Sequence, residues 1–144
     1  MTVMLPDSTI AAWVRLVRVS QSVIGAIEAD LKAAGFPALD WYDVLLELER
    51  AGGALRPREI ARETLFARYS VTRLVDRLEA QGLVNRVACP EDARGAVIQI
   101  TQKGRKLRHK MWPVYAAAIK RHFADKLGEK DAGQLARLLK RLMA

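Results

Sequence analysis

The stretch RYSVTRLVDRLEAQGLVNRVA, residues 68–88, decides the fold. Val71, Leu74, Val75 and Leu78 recur at i, i+3, i+4 and i+7, a spacing that gathers apolar side chains on one face of a helix. The opposite face reads Tyr69, Ser70, Thr72, Arg73, Asp76 and Arg77. The pattern predicts a helix over roughly residues 68–81, stopped by Gly82. Beyond Gly82 the period shortens. Val84–Ala88 and Ala96–Ile100 are strand-like runs, and the seven residues from Cys89 to Gly95 between them are rich in turn formers. A β-hairpin with a charged tip is expected.

Upstream, Pro57 suits the first turn of a short helix carrying Ile60 and Ala61. Before it, a helix from an Asp40 cap to about Arg50 turns Val44, Leu45 and Leu48 inward and ends at Gly52 and Gly53. The first helix starts from a cap at Asp7 or Ser8 and runs to about Ala34. Its apolar stripe holds Ile10, Trp13, Val14, Val17, Ile24, Ile27 and Leu31, while Leu16, Val19 and Val23 lie off it. A helix apolar on more than one face must be covered on more than one face, which points to a partner subunit. Downstream, residues 103–127 form a long helix with an expected kink at Pro113. A last helix, residues 129–142, packs Leu135, Leu138, Leu139 and Leu142. The expected class is mainly α with a small β-hairpin wing. Residues 37–102 form a winged helix-turn-helix, intertwined with a helical dimerisation region of residues 1–36 and 103–144.

Composition narrows the function. The 144 residues are 51% hydrophobic and 28% charged, enough to bury a core and too apolar for disorder. The net charge of +8 is unevenly placed, at −3 over residues 1–55, +7 over 56–110 and +4 over 111–144. A basic middle segment suits a polyanion; a solubilising surface is the plainer alternative. No uncharged apolar run nears the roughly 18 residues that span a bilayer, and residues 1–8 do not resemble a secretory leader. Cys89 is the single cysteine, so no intrachain disulfide forms and a reducing cytoplasm is expected. Two histidines and one cysteine without a ligand spacing give no metal site. No nucleophile–base motif or Gly-rich phosphate loop is present, so neither an enzyme nor a cofactor is expected.

A helix with one apolar and one basic face can rest on its own domain and enter the major groove of double-stranded DNA. Ser70, Thr72 and Arg73 lie where base edges are reached, with Tyr69 beside them. Arg68 and Arg77 flank that face and suit phosphates. Arg94 at the hairpin tip suits the minor groove, where negative potential is concentrated. Asp92 suits holding Arg86 or Arg94 extended, and Arg86 joins the DNA-facing cations. Oxidation of Cys89 would add bulk beside phosphates; its candidate cationic helpers are Arg86 and Arg94.

The residues Ile60-Ala61, Val71 to Glu79, Gly82-Leu83-Val84, Arg86, Glu91 to Arg94 and Ile100-Thr101-Gln102-Lys103-Gly104 resemble the MarR family of bacterial transcriptional regulators. The resemblance follows the element order of the whole chain and is tightest over residues 60–104. It implies a homodimer built from the terminal helices and a recognition helix reading bases through Ser70, Thr72 and Arg73. It also implies Arg94 in the minor groove, a palindromic operator, and release of a repressor by a small aromatic or phenolic ligand or by thiol oxidation. The chain departs from the family pattern at Leu65, where glycine is usual, at Ala67, where a serine cap is frequent, and at Arg56, where serine or threonine precedes proline. Trp13, Trp41, Tyr42, His109 and Trp112 are the effector-pocket candidates, although aromatics at helical spacing more often serve a core or interface. Arg15 and Arg18 suit an aromatic carboxylate or pairing with Glu47 or Glu49. The competing functions are a non-specific or architectural DNA-binding protein without an effector, and an adaptor on a degenerate winged helix.

Overall fold

The computed structural model describes residues 1–66, 70–89 and 95–143. In chain order it contains α1 (Asp7–Ala33), α2 (Leu39–Arg50), β1 (Ala54–Leu55), α3 (Pro57–Glu63) and α4 (Val71–Ala80). These are followed by β2 (Val84–Ala88), β3 (Ala96–Ile100), α5 (Gln102–His122), a 3-10 turn (Ala124–Lys126) and α6 (Glu129–Lys140). The chain forms two compact units, Met1–Asp30 with Tyr115–Ala144, and Leu31–Val114, so the boundaries fall inside α1 and α5.

In the Leu31–Val114 unit the expected stripes meet. Val44, Leu45 and Leu48 of α2, Ile60 of α3, and Leu74, Val75 and Leu78 of α4 are buried in one core with Val84, Ile98 and Ile100 of the sheet. The hairpin pairs antiparallel from Val84↔Ile100 to Ala88↔Ala96. A third strand was not expected: β1 pairs with β3 through Ala54↔Gln99 and Leu55↔Ile98, giving the order β1-β3-β2. Two residues are too few to show a period, so its position follows from packing alone.

Several helix ends differ from expectation. α1 begins at Asp7, and the Pro6 carbonyl, not the Asp7 or Ser8 side chain, accepts the first N–H groups, from Thr9 and Ile10. The cap of α2 is Ala38, which makes no side-chain cap bond, and Asp40 lies inside the first turn. Asp40 Oδ1 is buried without a hydrogen-bond partner. In α3, Pro57 is at the first turn as expected, and Arg56 is a serviceable cap because Glu59 Oε1 accepts its backbone N–H at 3.0 Å. The helix continues through Pro113, and α5 ends at His122 rather than near Leu127. A proline removes one internal hydrogen bond, which a helix of 21 residues sustains.

The end of α4 and the start of α5 are tied at one point. Gly82, at φ 73°, donates to the Glu79 carbonyl while Leu83 donates to that of Leu78, a turn that favours glycine because the left-handed region crowds a Cβ. The Thr101 hydroxyl donates to the Gly82 carbonyl at 2.7 Å and accepts the Gly104 N–H at 3.1 Å, so it caps α5 and holds α4 at once. Lys103 Nζ reaches the Gln81 carbonyl at 2.7 Å, a cation at a helix C-terminus where the dipole favours it.

In the other unit, Asp30 of α1 accepts His122 Nε2 at 2.9 Å and Arg121 Nη1 at 3.4 Å. Much of its apolar surface is uncovered: Ile10, Trp13, Val14, Leu16 and Val19 on α1 are exposed, and α6 buries no residue.

A Cβ on Gly104 would lie 2.3 Å from the Leu83 carbonyl oxygen and 2.9 Å from Ile100 Cγ1. Gly104→Ala is therefore expected to destabilise the protein by about 3 kcal/mol, the scale of overpacking a filled core, read as a lower urea midpoint with unchanged slope.

Candidate nucleic-acid interface

Placement of α4 starts from a carboxylate in an apolar helix face. Asp43 of α2 is buried, and its Oδ2 accepts the N–H groups of Leu65 at 2.5 Å and Phe66 at 2.8 Å. These residues follow α3, so Asp43 fixes the turn that leads toward α4. Thr64 assists by donating its hydroxyl to the Ile60 carbonyl at 2.6 Å. No non-glycine residue has a positive φ among the described residues. Leu65 therefore stands in place of glycine without strain, its N–H held by Asp43 and its side chain exposed. Burial raises the Asp43 carboxyl above the ordinary 3.8, with Glu47 and Asp40 adding repulsion and the two N–H groups opposing the shift.

α4 presents the expected division. Leu74, Val75 and Leu78 are buried, while Thr72, Arg73, Asp76 and Arg77 are exposed. Ser70 is the N-cap residue, and its hydroxyl makes no cap bond. The helix starts at Val71, so Ser70 precedes it rather than lying within its first turn. Arg73 and Arg77 make no ion pair among the described residues, and both charges face solvent. Arg68, Tyr69, Asp92 and Arg94 lie outside the described residues.

Arg86 is engaged. From β2, its Nη2 donates to Asp76 Oδ1, its Nη1 to Glu79 Oε1 at 2.5 Å, and its backbone N–H to Glu79 Oε2 at 3.2 Å. The Asp76 bond raises the guanidinium above its ordinary value; burial opposes the shift, and the charges of Glu79 and Asp76 add to it. Asp92, expected to hold Arg86 or Arg94, lies outside the described residues; packing of α4 on β2 brings Asp76 and Glu79 to Arg86. Cys89 meets Arg56, whose Nη2 lies 3.8 Å from its Sγ, a neighbour 33 positions away that local reading missed.

The effector candidates separate. In the Leu31–Val114 unit, Tyr42 and Trp112 stack with ring centroids 6.3 Å apart. Arg108 lies 5.9 Å from the Tyr42 ring centroid, and its Nε donates to Glu49 Oε1 at 2.7 Å. His109 Nε2 is 3.2 Å from Arg108 Nη2. Trp41 packs against the core. Trp13 and Arg15 belong to the other unit, where Arg15 and Arg18 line a shallow groove on α1 with Asp7, Ile10, Val14 and Val19. Within the Leu31–Val114 unit, Glu49 pairs with Arg108 and Glu47 with Arg50. Arg108 escaped sequence reading because it adjoins the apolar stripe of α5 without breaking its period.

Comparison with known proteins agrees with this arrangement. A sequence model of the MarR family matches residues 30–95. The uncharacterized HTH-type transcriptional regulator YkoM of Bacillus subtilis is 31% identical over 78% of this chain and 71% of its own length. The crystal structure of Sco3205, a MarR family transcriptional regulator from Streptomyces coelicolor in complex with DNA, superposes with a TM-score of 0.88 at 21% identity, covering 99% of this chain and 89% of that one. BpsR of Bordetella bronchiseptica, whose DNA binding is regulated by 6-hydroxynicotinic acid, gives 0.80 at 21% identity, covering 93% and 99%.

Asp43 yields a pH-dependent expectation. Its native pKa is raised, so its contribution to stability is fullest below pH 3.8 and is lost as pH rises through the native value. Asp43→Asn is expected to remove that slope from urea-unfolding free energies measured across acidic pH. Asp43→Ala leaves two N–H groups unmatched and is expected to cost about 3 kcal/mol at neutral pH.

Proposed function

Because the chain belongs to the MarR family of transcriptional regulators, we propose that two copies, joined through residues 1–36 and 103–144, bind a palindromic operator as a cytoplasmic repressor. A small aromatic or phenolic ligand releases it. The observation that carries the DNA reading is α4: its apolar face is buried in the core while Arg73 and Arg77 stand exposed and unpaired among the described residues. Arg73, with Ser70, Thr72 and Tyr69, reads bases in the major groove. Arg68 and Arg77 meet phosphates, and Arg94, oriented by Asp92, enters the minor groove. Sco3205, of like fold, supports this reading through its complex with DNA.

The uncovered apolar residues of α1 support the dimer. A window within α1 reaches a mean hydropathy of 1.3, which by composition alone would also suit a bilayer. In a DNA-binding regulator, the same surface serves subunit contact, and two recognition helices then sit about 34 Å apart, one turn of duplex. For the effector, BpsR supports a small aromatic acid as the chemical class. Tyr42, Trp112 and His109 beside Arg108 are the proposed contacts, with Trp41, Trp13 and Arg15 as further candidates. A ligand releases DNA only by binding one conformation better than the other.

The test begins with selection of a bound duplex from a random-sequence library. Arg73→Ala is expected to weaken that duplex by about 1–3 kcal/mol and to relax one base position. Arg77→Ala is expected to weaken selected and scrambled duplexes alike and to lower the salt slope by about 0.9 per subunit. Equal binding of all duplexes would leave a non-specific DNA-binding protein, and failure to bind any would end the proposal.

A further inference from the structure

The face that α4 offers to DNA carries two acids among its basic residues. Asp76 and Glu79 have side-chain exposures of 58% and 39% and share the helix with Arg73 and Arg77. A carboxylate beside phosphate repels it, so a helix built only for attraction would not hold two. Both are gathered by one side chain, Arg86, which offers a separate nitrogen to each and its backbone N–H to Glu79 as well.

What that fork secures is visible in the strand it comes from. Of β2 only Val84 is buried, and Asn85, Arg86, Val87 and Ala88 are exposed. Beyond its first residue the strand has no apolar anchorage of its own. Its direction relative to α4 rests on the hairpin ladder and on the Arg86 contacts. A planar guanidinium can span two carboxylates one helical turn apart, whereas an ammonium is a single point charge.

We infer that Arg86 is a positioning residue for DNA recognition, tying the root of the hairpin to α4 through Asp76 and Glu79 rather than contacting phosphate. This rests on the DNA-binding function proposed above and revises the placing of Arg86 among the DNA-facing cations. Asp76 and Glu79 are the helix's half of a joint that sets the direction in which the hairpin strands leave α4.

The two roles predict opposite signs. Asp76→Asn with Glu79→Gln removes two negative charges from a DNA-facing surface. If Arg86 served a phosphate, that change would tighten binding, by lowering repulsion and freeing a cation. If Arg86 positions the hairpin, it weakens binding although the electrostatics improve. The experiment uses the full-length protein and the duplex selected from the random library, with a scrambled duplex as control. The double variant is expected to lose several-fold in affinity for the selected duplex and less for the scrambled one. Arg86→Lys is expected to fail as Arg86→Ala does, and Arg86→Ala to keep the wild-type salt slope. Far-UV circular dichroism and solution mass establish that each variant is folded and assembled as the wild type, and Glu79→Gln alone serves if the double variant is not. Binding by the carboxylate variants as tight as wild type or tighter, near-normal binding by Arg86→Lys, or a salt slope shallower by about 0.9 per subunit in Arg86→Ala would each overturn the inference. A wild-type protein that binds no duplex would instead overturn the DNA-binding reading beneath it.

Discussion

One carboxylate oxygen, Asp43 Oδ2, takes the N–H groups of both Leu65 and Phe66. It does so from a buried position on α2, the helix that supplies Val44, Leu45 and Leu48 to the core. The backbone at Leu65 and Phe66 is thereby fastened to the centre of the domain. Hydrogen bonds to an ionised acceptor are strong, and an unmatched N–H at such a site is costly. The same burial makes the charge expensive, which is why the Asp43 carboxyl holds its proton more firmly than an exposed one. The arrangement also explains why Leu65 stands where glycine is usual in the family. With its amide held from outside the turn, the backbone stays at negative φ and needs no glycine.

From that anchor the exposed face of α4 is set among selectively paired charges. Arg86 is matched by two acids, and Arg108 by Glu49, while Arg73 and Arg77 are unmatched among the described residues. A guanidinium already engaged by carboxylates has less to gain from phosphate than one standing in water, so the division separates cations that hold the scaffold from cations available to a ligand. Thr101, Lys103 and Gly104 fix the other end of α4 against the start of α5. The C-terminal end of α4 is thus tied to α5, and its exposed face is presented on a packed support. The aromatic pair Tyr42 and Trp112 lies beside the Arg108–Glu49 bridge in the same unit, so a ligand entering there must compete with contacts already made.

Much of this was legible in the chain. The i, i+3, i+4, i+7 stripe of Val71, Leu74, Val75 and Leu78 named the buried face of α4 and, by subtraction, its exposed one. Pro57 marked the first turn of α3, and the change of period after Gly82 marked the hairpin, because these signals are local and obey fixed geometry. What was not legible was long-range. Asp43 broke the apolar face of α2 and was a signal in plain view, yet nothing near it in sequence identified the amides 22 and 23 positions away that justify it. Asp40 looked like a cap and lies inside the helix instead, since Ala38 already has the extended backbone a cap position requires. Arg86 looked like one more cation in a basic segment until α4 was seen to bring two acids to it.

The sequence by itself determined the order and kind of the elements, the inward faces of the helices and the concentration of positive charge in the middle of the chain. Each follows from periodicity and composition within a few residues. Tertiary structure alone decided which charges are matched among the described residues, where β1 joins the sheet and how the backbone after α3 is held. Each of those depends on groups far apart in the chain, and the energy of a contact is set by the distance, burial and competing partners that only folding brings about.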